Sequence, residues 1–338
     1  MRIIVAGGRG FFGRTIVELL RADGVMPLLG SRGPGADLAF NVEDRASLRT
    51  VLRPDDVVID TVGPFQDRST ALVEAAIEIG VHVIDLSDSI AYARKIWELK
   101  PRIDAAGIRV LTACSAMSAI SAALVRRAGF TEPVRITGFI APASRHSANS
   151  ATGASLLRSV GQPIEVLRDG RLVTRTGWLD RRTIDLPPPL GRIHGHLFEA
   201  VDSFLLPKVW PSIRCSEYFV DSRVPGLNAA FTLAAHAPTF RRLMERYQSF
   251  GLVVARRFGA TAGGLGYEIE GPDGAAVRFS LATSDRAFRI AAAPPALAAR
   301  NIAADRFDRR GLISCDELAE PDELLRYMAD LGVRVEQS

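Results

Sequence analysis

Seven residues, Gly7-Gly8-Arg9-Gly10-Phe11-Phe12-Gly13, hold the densest chemical information in this 338-residue chain. They satisfy G-x-G-x-x-G counted from Gly8 and G-x-x-G-x-x-G counted from Gly7. An apolar β-rich run, Arg2–Ala6, leads in, and a helical pattern, Thr15–Ala22, leads out. In that context each glycine has a job. The first permits the tight turn, the second lets backbone approach a pyrophosphate, and Gly13 lets the helix pack close to the strand. The helix N-terminus then stabilises the anion. The pattern implies a dinucleotide, with Arg9, Phe11 and Phe12 carried in the same loop.

The end of the second strand selects between nucleotides. An acid about 20 residues past the glycines would hold a ribose 2′-hydroxyl. Here the chain reads Leu29-Gly30-Ser31-Arg32, with no acid until Asp37. Ser31 can donate to a 2′-phosphate, and Arg32 can pair with it and stack on adenine. The expectation is NADP(H).

Two further loops lie where ligands bind in open α/β sheets, beyond the carboxyl ends of strands. They are Val62-Gly63-Pro64-Phe65 and Asp85-Leu86-Ser87-Asp88. Phe65 either leans on the cofactor or fills a gap. Asp85 is the best-placed carboxylate, with helix capping as the competing role. Farther on, His146 can titrate near neutrality and Arg145 can hold a carboxylate bidentately, unless the segment only caps the helix that begins at Ala151.

The elements that must position these residues follow one rhythm over the first 130 residues. Strand candidates are Arg2–Ala6, Val25–Leu29, Leu38–Val42, Asp56–Thr61, His82–Leu86 and Ile108–Ala113. Helical segments Thr15–Ala22, Thr70–Ile79 and Ala91–Ala106 alternate with them, and Gly24, Gly80 and Gly107 stand at cap positions. Alternation with continuous apolar strands predicts an α/β domain, a Rossmann-type doubly wound parallel sheet. Pro27 sits awkwardly inside the second strand. Beyond Gly129 the pattern predicts a strand over Val134–Ala141, a helix over Ala151–Val160 and a hairpin over Ile164–Thr176 turning at Asp169-Gly170. After a loop-rich region with Pro187-Pro188-Pro189 come a strand near Ile213–Val220, helices over Leu227–Phe258 and a hairpin over Leu265–Thr283. This second part reads as α+β on a mainly antiparallel sheet. The expected division is 1–130 for the nucleotide, 131–295 for substrate and dimerisation, and 296–338 as two helices and a short strand packing back near the junction.

Composition excludes several classes. The 42 Lys and Arg against 38 Asp and Glu leave +4, too even for a nucleic-acid surface. Only three of those bases are lysines, so 39 are arginines, a skew that hides any single chosen Arg. Cys114, Cys215 and Cys315 are far apart and odd in number, which argues against a disulfide framework or zinc knuckle. His194 and His196 alternate as on a strand, but no third ligand stands near, so no metal is expected. No stretch reaches the roughly 20 apolar residues of a membrane span, and no leader precedes the first strand. The expectation is a cytoplasmic protein. There is no G-x-S-x-G elbow or Walker pattern. Lys95 follows Tyr92 by three positions, which breaks the Tyr-x-x-x-Lys relay.

Taken together, Gly7–Gly13, Ser31-Arg32, Gly63-Pro64-Phe65 and Gly80–Ser87 resemble the saccharopine dehydrogenase-like family of NADP-dependent oxidoreductases. The likeness continues through Ser144–Gly153 and Gly263-Gly264. It implies hydride transfer to or from a small metabolite in a cleft between two domains. It also places Cys114 and Ser115 opposite the nicotinamide, Ser115 and Ser87 with the cofactor-binding residues and Cys114 with the catalytic candidates Asp85, Arg145 and His146. Cys114 has no recognisable paired His and reads better as a small packed residue. One departure stands out. Amino-acid-binding members carry a Gly-x-x-Pro-Gly-like turn where this chain has Cys114-Ser115-Ala116-Met117-Ser118. Alternatives are an NADP(H)-binding sensor without turnover and an enoyl reductase for a lipid precursor, with the uncharged Val224–Phe240 as a pocket wall. A homodimer is expected through the second-domain sheet.

Overall fold

The computed structural model describes residues 1–33, 35–148 and 150–338. The chain divides into two compact units, Met1–Ala123 with Ala291–Leu324, and Leu124–Ile290 with Leu325–Ser338.

The first unit is built on a seven-stranded sheet, ordered β15-β6-β5-β4-β1-β2-β3. Its strands are β1 (Ile3–Ala6), β2 (Leu28–Ser31), β3 (Leu38–Ala39), β4 (Val57–Asp60), β5 (His82–Asp85), β6 (Arg109–Leu111) and β15 (Gly311–Leu312). Every neighbouring pair is parallel. Helices α1 (Phe11–Ala22), α2 (Arg45–Val51), α3 (Ala71–Ile79), α4 (Ile90–Glu98) and α5 (Lys100–Ala106) alternate with the strands. β1, β4, β5 and β6 are buried at every position, as a sheet covered on both faces requires. This is the expected Rossmann-type sheet. Chain order turns back on either side of β1, which pairs with both β2 and β4, so the loop after β1 sits at the topological switch point.

Two local differences from the sequence pattern have plain causes. β2 begins at Leu28, so Pro27 stands before the strand and removes no ladder bond. The helix expected over Ala91–Ala106 is two, because Pro101 lacks an amide hydrogen and starts a new helix after Leu99.

The second unit carries a nine-stranded sheet: β10-β11-β12-β7-β13-β14-β16 in line, with β8 on β12 and β9 on β8. The strands are β7 (Arg135–Ala141), β8 (Pro163–Arg168), β9 (Arg171–Thr176), β10 (Arg181–Leu186), β11 (Gly191–Phe198), β12 (Cys215–Val220), β13 (Gly263–Glu270), β14 (Ala276–Thr283) and β16 (Arg334–Gln337). All pairings are antiparallel except β7 with β12. The first hairpin turns where expected, since Asp169 and Gly170 both have positive φ, 51° and 76°. The region expected as loops around Pro187-Pro188-Pro189 instead holds the β10–β11 hairpin, with the prolines confined to its turn.

Helices here are α7 (Ser144–Ser147), α8 (Ser150–Ser159), α9 (Asp202–Val209), α10 (Leu227–His236), α11 (Pro238–Arg246) and α12 (Gln248–Phe258). The chain passes from one unit to the other within α6 (Ala119–Ala128), α13 (Phe288–Ala303) and α14 (Pro321–Asp330). The tail thus contributes β15 to the first sheet and β16 to the second.

Candidate cofactor site

The glycine loop is held by its own backbone. Gly7 N donates to Gly30 O at 2.9 Å, Gly8 N to Val5 O at 3.1 Å and Gly10 N to Gly7 O at 2.7 Å. Gly13 has no room for a side chain, because a Cβ there would stand 2.2 Å from Gly7 O and 2.7 Å from Gly8 Cα. Gly10 differs. A Cβ on it would meet only Gly7 O, at 3.1 Å, and otherwise point into open space. That space is the cradle a pyrophosphate needs, and a side chain would fill it.

The start of α1 fits the same group. Its N-cap is Gly10, which offers no capping side chain, and its first turn holds no acid. Elsewhere in the unit the sequence supplies such caps: Asp44 accepts from Ala46 N on α2, and Ser89 from Tyr92 N on α4. A helix start with no capping side chain and no acid suits an anion. Arg9 reaches across from the loop and donates from Nη2 to Gly35 O at 2.5 Å, tying it to the segment after β2. Phe11 and Phe12 meet edge to face at 5.3 Å, both half-buried.

Ser31 ends β2 half-buried, with its hydroxyl oxygen accepting from Gly33 N at 3.2 Å, and Arg32 beside it is exposed. Asp37, the first acid past the strand, accepts from Leu29 N at 2.7 Å through Oδ2. That carboxylate is spent on the strand.

The loop after β4 is anchored by a buried ion pair that sequence reading passed over. Arg68, 5% exposed, donates from Nη2 to Asp60 Oδ2 at 2.9 Å and also holds Val62 O and Glu43. Burial opposes the Arg68 charge, but Asp60 and Glu43 outweigh it and hold the guanidinium protonated. This clamp carries Gly63, Pro64 and Phe65. Gly63 is exposed and Pro64 half-buried, whereas Phe65 is buried and packs on Tyr92 at 5.2 Å. Of the two roles expected for Phe65, this packing suits the gap-filling one.

At the ends of β5 and β6 the carboxylate of Asp85 joins two loops. Oδ1 accepts from Ser87 N and from Ala113 N, each at 2.9 Å, and Cys114 N donates to Asp85 O at 2.8 Å. Capping of α4 falls to Ser89, not Asp85. Asp85 Oδ2, Tyr92 Oη and Thr112 Oγ1 are buried and find no partner among the described residues. Burial pushes the Asp85 carboxyl up to about 6, with the Ala113 and Ser87 amides holding it from rising further. Cys114 is fully buried, and burial followed by the nearby Asp85 charge pushes its thiol up. Its burial suits the small packed residue that the sequence favoured over a nucleophile. Ser87 is buried, its hydroxyl accepting from Ser89 N at 3.1 Å, and Ser115 donates to Ala291 O at 3.0 Å.

Residues 35–111 match the family model described as the saccharopine dehydrogenase NADP binding domain. That stretch lies within the first unit. The match begins after the glycine loop and Arg32, so those residues stand on geometry alone. Among solved structures, the apo saccharopine dehydrogenase (L-Glu forming) of Saccharomyces cerevisiae is similar, with a TM-score of 0.66 at 15% identity, covering 100% of this chain and 99% of that one. That likeness shows a shared fold. GenD2 from gentamicin A biosynthesis, in complex with NAD, aligns at a TM-score of 0.45 and 15% identity, over 100% of this chain and 96% of that one. No curated protein matches the chain.

The first unit therefore gathers the glycine loop, Ser31-Arg32, Gly63-Pro64-Phe65, Asp85-Ser87 and Cys114-Ser115 at the carboxyl edge of one parallel sheet. Arg145 and His146 belong to the second unit. Both are exposed, and both are engaged: Arg145 donates from Nε to Gly259 O at 3.2 Å and from Nη2 to Arg257 O at 3.3 Å. His146 Nδ1 lies 3.2 Å from Asp285 Oδ1. Arg145 thus satisfies carbonyls at the C-terminal end of α12, which is a different helix from the one over Ala151–Val160 that the segment was expected to cap. Asn149, within the Ser144–Gly153 stretch, lies outside the described residues. His196 stacks on buried Trp178 at 4.8 Å, and His194 Nδ1 lies 3.2 Å from Thr183 Oγ1. Asp60 and Arg68 escaped sequence reading because 39 arginines conceal one that is clamped, although Asp60 at a strand end was a visible signal.

Proposed function

We propose that the protein is an NADP(H)-dependent oxidoreductase of the saccharopine dehydrogenase-like type, acting on a small metabolite. The observation that carries this reading is the open cradle at Gly10, uncapped at the start of α1 and lying at the switch point of the sheet. Gly8, Gly10 and the first amides of α1 would hold the pyrophosphate, and Ser31 with Arg32 the 2′-phosphate. Bound there, the cofactor supplies or accepts a hydride. Arg9 fixes the loop, and the Arg68 clamp holds Gly63 and Pro64 at the sheet edge. Asp85 orients the β5 and β6 ends against each other.

Neither Asp85 nor Cys114 reaches solvent in this unit, which favours a proton supplied by water or by the metabolite. The same enclosure supports the second reading, a nucleotide sensor without turnover. Gly10→Val tests the common part. A valine fills the cradle without entering the packed Gly13 contact, so binding of NADPH and NADH should fall below detection while thermal unfolding stays cooperative. Unchanged binding would make the glycine loop structural and remove the proposal.

A further inference from the structure

Among the described residues, six of the eight exposed large hydrophobic side chains lie within 26 residues: Leu233, Leu243, Tyr247, Phe250, Val253 and Phe258. Phe250 is 70% exposed, and Val253 and Phe258 are each 60% exposed. α11 buries none of its side chains. Tyr247 stands between α11 and α12, and within α12 the exposed Phe250 and Val253 lie three positions apart. That interval returns side chains to one side of a helix. Exposed apolar side chains gathered in one segment in this way mark an interaction site rather than ordinary scatter.

Its charge identifies the occupant. Residues 227–259 hold five arginines (Arg241, Arg242, Arg246, Arg256, Arg257) and one acid, Glu245, out of 42 bases and 38 acids, leaving 37 of each sign elsewhere. The whole net charge of the chain therefore sits on the segment that exposes its hydrophobic residues. Glu245 is paired by Arg241 at 3.1 Å, so the excess falls to the other four arginines. A second copy docking face to face would set +4 against +4, which disfavours self-association through this surface. Long arginine stems beside aromatic and aliphatic side chains suit a boundary that is apolar below and anionic above. No described helix is long and apolar enough to cross a membrane, so the surface would lie on a bilayer.

We propose that α10, α11 and α12 form a docking surface for anionic lipid bilayers. The proposal does not rest on the oxidoreductase reading. The test is sedimentation of the full chain with vesicles of phosphatidylcholine alone and of phosphatidylcholine with phosphatidylglycerol. The protein should pellet with the anionic vesicles, stay in solution with the neutral ones, and be released by added salt. Phe250→Ser should lower the partition coefficient about tenfold, and Arg242→Gln with Arg246→Gln about thirtyfold, at about fivefold per arginine. Equal partition into neutral and anionic vesicles, or no partition into either, overturns the proposal. So does an oligomer in lipid-free sedimentation velocity that Phe250→Ser dissociates, which would assign the surface to a second copy. Retention of the chain by an acidic protein in place of anionic vesicles would do the same.

Discussion

A ribose 2′-hydroxyl and a 2′-phosphate demand opposite partners at the end of β2: an acceptor for the first, a cation for the second. In this chain the nearest acid is turned back onto Leu29 N, leaving Ser31 and an exposed Arg32 at the strand end. On the proposed reading, the nucleotide preference depends on one guanidinium. Arg32→Ala should weaken NADPH by roughly 10- to 100-fold, the worth of a charge-assisted contact, and leave NADH within about twofold. Isothermal titration with both nucleotides measures this, and equal losses would contradict the assignment. At this scale sequence reading went far for backbone-determined roles and less far for side chains. Gly13 was legible because only glycine fits where a helix touches its own entry turn. The partners of Phe65 and Arg145 were not, because whether a side chain faces a ligand or its own fold depends on residues distant in sequence. Phe65 meets Tyr92, and Arg145 meets Gly259.

At the level of elements, Asp85 couples β5 to β6, and its burial makes that coupling pH-dependent. A carboxyl raised from 3.8 to about 6 binds its proton more tightly folded than unfolded. The resulting stabilisation is complete below about pH 4 and is lost as pH rises through about 6. With about 1.4 kcal/mol per pKa unit, the loss is on the order of 3 kcal/mol. Asp85→Asn cannot ionise, so its stability relative to wild type should rise by roughly that amount between pH 4 and pH 7 in urea denaturation. Parallel pH profiles for the two proteins would show that the carboxyl is not perturbed. The elements themselves were legible wherever local pattern decides them, as in the Asp169-Gly170 hairpin. They were not legible where tertiary pairing decides. β15 joins β6 from about 200 positions away in sequence, Gly311 opposite Arg109, and no local period announces it. The β10–β11 hairpin hid behind three prolines, although Ile184 and Leu186 already alternated as buried positions.

Across the whole molecule, the two units divide the chemistry. The first holds the features that suit a nucleotide, and the second holds an exposed basic and apolar helical surface. Ligand that binds only the folded protein must stabilise it. At a hundred times its Kd the gain is about 2.7 kcal/mol. The most direct test of the central claim is titration of the purified protein with NADPH and with NADH, followed by nicotinamide fluorescence. The account predicts saturable micromolar binding with a clear preference for NADPH. Absence of binding by either nucleotide, or a preference for NADH, would contradict it.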